Sequence, residues 1–194
     1  MLYLNQLNYR HIPYNHNIAN GGVEDDRRNV ATSGCGLCSL CMVVDRLTTR
    51  TLDLAEAVRM SEQFGANIDL GTRMDILGPI IADMYGLTYS ASNDVDDIKH
   101  CLQNGGCVII HAEGDHDGKV GLFTHRGHYI VAISVDEDDD FCIIDPALAE
   151  GKYEEEGRQG KVEVKTPFIY CKPQILAEEA ITRREPFHLF RRKK

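Results

Sequence analysis

The chain has 194 residues, 43% of them hydrophobic and 26% charged, with a formal net charge of -9. That length suits one well-filled domain, and the composition is that of an ordinary soluble protein. The negative charge argues against nucleic acid or an anionic membrane as partner, and no window reaches the roughly 18 apolar residues of a membrane-spanning helix.

The amino end, "MLYLNQLNYRHIPYNHN", lacks the basic start and apolar stretch of a signal peptide. After the small, turn-favouring "ATSG", the segment "CGLCSLCMVVDRL" is apolar nearly all round and predicts a helix buried in the core. "TLDLAEAVRMSEQF" reads as an amphipathic helix opened by Thr51 and closed by Gly65. "TRMDILGPIIADMY" follows, with Thr72 and Asp75 as a capping-box-like start, Gly86 as its stop and a kink or break expected at Gly78-Pro79. A fourth helix, "NDVDDIKHCLQNGG", is capped by Asn93 and ended by Gly105.

The period then changes. "CVIIHA", "HYIVAISV", "FCIID" and "KVEVKT" are short, rich in β-branched or aromatic residues and bounded by turn formers, so they read as strands. "DEDDD" joins the second and third as a solvated hairpin turn, "PQILAEEAI" is a last short helix, and the closing "RRKK" reads as a frayed tail. The expected fold class is therefore α+β in a single domain over 1–194, with a helical half at about 30–105, a sheet half at about 106–172, and a helix and tail at 173–194.

Seven cysteines cannot all pair, and most lie in apolar runs where a reduced thiol is a small hydrophobe; a reducing, cytoplasmic setting fits. Cys35, Cys38 and Cys41 recur in steps of three. On a helix such steps point progressively apart, and no second pair with ligand spacing follows, so no metal site is expected. Cys35 differs from the other two because it opens the helix. There the unpaired N–H groups and the helix dipole favour a thiolate, which is the nucleophilic form. Cys38 and Cys41 lie further along and read as packing residues.

A nucleophilic thiol needs a base, and the base needs an orienting partner. Of eight histidines, His11, His16 and His188 read as surface residues, His100 sits on an amphipathic helix, His111 ends a strand, and His116 lies in a polar loop. His128 opens the most apolar strand, directly after Gly127; His125, three residues earlier, is its rival. Asp145 ends the strand that "DEDDD" joins to the histidine strand, so a hairpin would bring it beside His128. An aspartate before Pro146 is equally well read as a structural turn residue.

Taken in order, "SGCG", "GHYIVAI" and "IIDPA" resemble the papain-like cysteine peptidases, nearest the bacteriocin-leader (double-glycine) peptidase branch, over roughly residues 3–147. The resemblance implies Cys35 as nucleophile, His128 as base and Asp145 as the orienting carboxylate. It implies Gln6, in "YLNQLNY", as an oxyanion-hole donor, and "IPYNHN" as the connection to the cysteine turn. The chain departs from the family in having Leu37-Cys38 after Cys-Gly. The implied activity is hydrolysis of a peptide or protein substrate through a thioester, with no cofactor. Acyl transfer by the same triad, or a papain-like fold used only for binding, are the alternatives. The glycine-containing "EGDHDGKVGLFT" ahead of His128 suggests a lid over the cleft. Substrate sequence and oligomeric state have no signature in the chain.

Overall fold

The computed structural model describes residues 1–14, 28–68 and 71–193. Part of the "IPYNHN" connection, including His16, therefore lies outside the described residues.

The helical half contains α1 (Val30–Ser33), α2 (Cys35–Leu47), α3 (Leu54–Gln63), α4 (Met74–Met84) and α5 (Val95–Gln103), with α6 (Pro173–Glu178) near the end. The apolar α2 segment is buried along nearly its whole length, as its sequence predicts. The caps differ from expectation by one or two residues. Asp53 rather than Thr51 caps α3, its carboxylate accepting from the Ala55 N–H at 2.9 Å, and Asp94 rather than Asn93 caps α5 through the Asp96 N–H. Thr72 does not cap α4: its hydroxyl is spent on Tyr14 Oη at 2.7 Å, and the N-cap is Arg73, whose guanidinium donates to Asp75 rather than closing the helix end. Nor does α4 break at Gly78-Pro79. It runs through, with the carbonyl deprived of its donor belonging to exposed Asp75 in the first turn, where water can serve it. Gly78 is required for another reason: a Cβ there would stand 2.7 Å from Cε2 of Tyr89.

The sheet is antiparallel and seven-stranded, formed by β1 (Leu87–Ser92), β2 (Cys107–Ala112), β3 (His128–Val135), β4 (Phe141–Ile144), β5 (Glu163–Lys165), β6 (Phe168–Cys171) and β7 (Phe187–Arg192), in the order β1-β7-β2-β3-β4-β6-β5. Its middle strands are buried on both faces, hence their nearly unbroken apolar sequences. Ile109, Tyr129 and Val131 face a core shared with α2, α3 and α4; Val108, Ile110, Ile130 and Ala132 face one shared with α5 and α6.

Three further expectations are overturned. β1 lies inside the stretch read as helical, and the closing arginines are no frayed tail: β7 ends at Arg192 and pairs with both β1 and β2. The alternation in "FHLFRR" puts Phe187 and Leu189 on one core and Phe190 on the other. Arg192 Nε then donates to the Leu47 carbonyl at 2.9 Å, closing the carboxyl end of α2. His188, expected at the surface, is buried in this strand.

β3 and β4 pair as a hairpin across the acidic turn, with Val131 opposite Ile144 and a register shift between Ala132 and Ser134. The start of β3 therefore lies beside the end of β4. The segment before β3 doubles back tightly at Gly114, where a Cβ would stand 2.3 Å from the Arg126 nitrogen. Gly114→Ala should lower unfolding free energy by about 1–3 kcal/mol. Gly71→Ala, whose new carbon would meet, among the described residues, just the Ser33 carbonyl at 3.7 Å, should stay within about 0.5 kcal/mol of wild type. Urea denaturation of the two variants checks the contrast.

Candidate active site

Cys35 is the first residue of α2, after Gly34 and before Gly36. Neither glycine can be replaced without movement, since a Cβ at Gly34 would lie 2.5 Å from Cγ1 of Val30, and one at Gly36 would lie 3.0 Å from Thr72 Cβ and 3.2 Å from the Tyr129 ring. The absent side chain at Gly36 lets the amino end of α2 approach β3 closely. Cys35 is thereby half-buried at the junction of helix and sheet, whereas Cys38 and Cys41 are sealed in the core.

His128 is 5% exposed and Asp145 fully buried. His128 Nε2–H donates to Asp145 Oδ1 at 2.7 Å, which leaves the other ring nitrogen for the Cys35 thiol, its second hydrogen-bonding partner. Burial alone would push the Cys35 pKa up. The hydrogen bond and charge of His128, joined by the backbone N–H groups of Tyr129 and Gly36, outweigh it and hold the thiol below its ordinary value. Burial likewise opposes the His128 cation, yet Asp145 and Cys35 raise its pKa to about 9. Cys41 shows the contrast within the same helix: burial without a cation pushes it up to about 12.

Asp145 has more partners than a triad requires. Oδ1 also accepts from the Ala147 N–H at 2.7 Å, and Oδ2 accepts from Lys152 Nζ at 2.5 Å and Tyr153 Oη at 2.7 Å. Tyr3 Oη donates to the Asp145 carbonyl at 3.3 Å. Burial opposes the Asp145 carboxylate; His128 and Lys152 overcome it and keep the group ionised well below the usual carboxylate range.

Gln6 is buried in a turn of 3-10 helix, Gln6–Asn8. Its backbone N–H donates to the Pro146 carbonyl at 2.7 Å and its side-chain amide to the Ala31 carbonyl at 2.9 Å. It thus links the residue after Asp145 to the helical turn ahead of Cys35. Its amide oxygen is buried and has no partner among the described residues.

Cys35, His128 and Asp145 therefore meet, while Gln6 is tied to Pro146 and Ala31, which flank them in the chain. His125 does not join them. It lies exposed, Nδ1 at 3.0 Å from Asp115 and Nε2 at 3.2 Å from Glu155. The expected lid is also tied down: Leu122 and Phe123 are buried, the Leu122 N–H donates to Glu179 Oε2 at 2.8 Å, and Arg158 Nε donates to the Gly121 carbonyl at 2.8 Å. His111 stacks on Tyr129 with ring centroids 4.3 Å apart, and burial presses its pKa down to about 3; His188 is pressed to about 4 for the same reason. Both are neutral at physiological pH. Among the described residues, no group of three or more His, Cys, Asp or Glu side chains has a metal-holding arrangement.

Lys152, Tyr153 and Tyr3 are the site residues that the sequence pattern did not reveal. A lone Lys-Tyr pair amid the acidic, aperiodic "EGKYEEEG" was the available signal.

A helix-borne thiol, a strand-borne imidazole and a carboxylate at the end of the neighbouring strand, in an α+β fold of this topology, define a papain-like cysteine peptidase architecture. The chain belongs to the Peptidase_C39 like family, whose model matches residues 3–169. Family membership points to cysteine peptidase activity in general and so to a peptide or protein substrate. No curated protein matches the sequence. Among solved structures, the chain is similar in fold to one titled a C39-like peptidase from Bacillus anthracis, at a TM-score of 0.51 and 11% identity, covering 83% of this chain and 89% of that one. Among the described residues, no helix is long and apolar enough to cross a membrane.

The buried Asp145 makes stability pH-dependent. Its folded pKa lies below the unfolded value of about 3.9, so its contribution is fully present above that value and is lost as pH falls through the folded one. His128 has the opposite sign: its contribution is present below about 6.5 and is lost as pH rises through about 9. Asp145→Asn, which strands two cations, should cost about 3–5 kcal/mol at pH 7, and the carboxylate's share of that deficit should begin to shrink only below about pH 3.9. Chemical denaturation followed by circular dichroism between pH 3 and 9 measures both.

Proposed function

We propose that this protein is a cysteine peptidase that cleaves a peptide or related amide bond through Cys35, His128 and Asp145. The observation that carries the reading is the unbroken series from half-exposed thiol to imidazole to buried carboxylate, with the thiol's pKa held down and the imidazole's raised to about 9.

Cys35 Sγ, as thiolate, attacks the carbonyl carbon and forms a C–S bond while the carbonyl oxygen takes up negative charge. The Cys35 backbone N–H, at the open amino end of α2, and the Gln6 amide are the groups assigned to that oxygen. His128 passes its proton to the amine nitrogen as the C–N bond breaks. Water then attacks the thioester; His128 takes the water proton, the thiolate departs, and the carboxylic product leaves. Asp145, bonded to Nε2–H throughout, fixes the ring orientation and offsets the positive charge of the imidazolium. None of these steps calls on a cofactor. A single seven-stranded sheet with cores on both faces supports reading the chain as one papain-like domain, and an odd number of cysteines, most of them in apolar runs, fits a cytoplasmic setting.

Iodoacetamide at pH 6 should alkylate wild-type protein rapidly at Cys35 alone, and Cys35→Ala should abolish that labelling. Incubation with a peptide library, read by mass spectrometry, should yield new free carboxyl termini in wild type and none in Cys35→Ala. Gln6→Ala should retain fast alkylation while losing about 10²–10³ in turnover. Slow, unselective labelling of wild type would refute the proposal.

A further inference from the structure

The far side of Asp145 carries a cation that a Cys-His-Asp arrangement does not need. Asp145 divides its two oxygens: Oδ1 serves the His128 ring and the Ala147 N–H, and Oδ2 serves Lys152 Nζ and Tyr153 Oη. The Lys152 side chain is only 10% exposed and also donates to the Ala147 carbonyl at 3.2 Å, so the ammonium is fixed by two acceptors rather than waving in solvent. Its strand of chain is pinned in turn by buried Arg158, which donates Nη1–H to the Lys152 carbonyl and Nε–H to the Gly121 carbonyl in the segment that leads to His128.

An ammonium in direct contact with a carboxylate keeps that carboxylate ionised and also cancels part of its field. The field is what holds the proton on His128. The other groups around the pair are Cys35 from α2, Tyr3 from the amino-terminal segment, His111 from β2, Tyr129 of β3, Tyr153 and Arg158 after β4, and Arg183 against Gly127. Both tyrosines nearest the carboxylate, Tyr3 and Tyr153, are kept protonated, and His111 is neutral; Lys152 is the cation bonded to Asp145 from behind.

We propose that Lys152, assisted by the Tyr153 hydroxyl, is a positioning residue that limits how tightly Asp145 holds the proton on His128. The inference rests on the reading of His128 as acid and base, because that role demands a compromise. Too basic an imidazole keeps its proton when the thioester must be hydrolysed, and too weak a one fails to hold the thiolate. Lys152 sets the balance from behind, without touching substrate.

The test is an NMR titration of the His128 ring in Cys35→Ala protein, which removes the thiol from the equilibrium. Adding Lys152→Gln, which keeps a donor and removes the charge, should raise the His128 pKa by about one pH unit or more. Lys152→Arg should restore the original value. A merely structural lysine would lower the melting temperature in Lys152→Gln and leave the titration in place, and an unmoved or falling pKa in folded Lys152→Gln overturns the proposal. Should that variant not fold, Tyr153→Phe gives the decision: a smaller rise of the same sign is expected, and no rise overturns it. In the otherwise wild-type protein, the alkaline limit of Cys35 alkylation should move up with Lys152→Gln. Slow alkylation of the unsubstituted protein would refute the peptidase reading instead, while the His128 titration would still decide the role of Lys152.

Discussion

Asp145 is a charge with no access to water, and much of the molecule is arranged around its need for partners. An ionised carboxylate in a protein interior costs several kcal/mol unless hydrogen bonds and opposite charges replace its hydration. Here the replacements come from three places: the start of β3 through His128, the turn after β4 through the Ala147 N–H, and the following loop through Lys152 and Tyr153. Satisfying one buried group thus draws the opening of one strand, the close of its neighbour and an otherwise irregular loop to a single point. Arg158 extends the arrangement by tying that loop to Gly121, in the chain leading to His128.

Along this line the charges alternate. The thiol of Cys35 is held low, His128 is raised to about 9, Asp145 stays ionised, and Lys152 lies beyond it. An alternating row needs little net charge to be removed from water, and each member stabilises the charged form of the next. The histidines that could disturb the row do not: burial keeps His111 and His188 neutral, and His125 is engaged outside with Asp115 and Glu155. The site's electrostatics follow from which imidazole meets a carboxylate inside the protein.

The parts legible in the sequence were those where one local rule decides. α2 was readable because its apolar residues surround the helix, and β2 and β3 because both faces are buried and the sequences are almost wholly apolar. Hairpin logic then carried Asp145 to His128. The misses have a common cause, which is that distant partners overrode local signals. "FHLFRR" ends in four basic residues with the chain's last two and looks like a tail, yet β1 and β2 recruit it between them. His188 is buried by that recruitment. Lys152 and Tyr153 sit in a run without periodicity, and their role comes from a carboxylate seven and eight residues away that the loop folds back to meet. Thr72 looked like a cap, but Tyr14, 58 residues away in the chain, claims its hydroxyl.

Reactivity at Cys35 and close packing of helix on sheet are one feature seen twice. α2 can bring its amino end against β3 because Gly36 offers no Cβ to the Tyr129 ring or to Thr72. The same approach supplies the thiol with the backbone N–H groups of Tyr129 and Gly36 and sets it facing His128. One turn along, Cys38 has the helix but neither the sheet's N–H nor the imidazole, and burial drives its pKa strongly upward. Two thiols one turn apart on one helix thus differ because desolvation acts on both and only one meets compensating dipoles and a cation. A larger residue at position 36 would prise the helix from the sheet and, by the same movement, take from Cys35 the Tyr129 N–H and the facing imidazole that hold its thiol low.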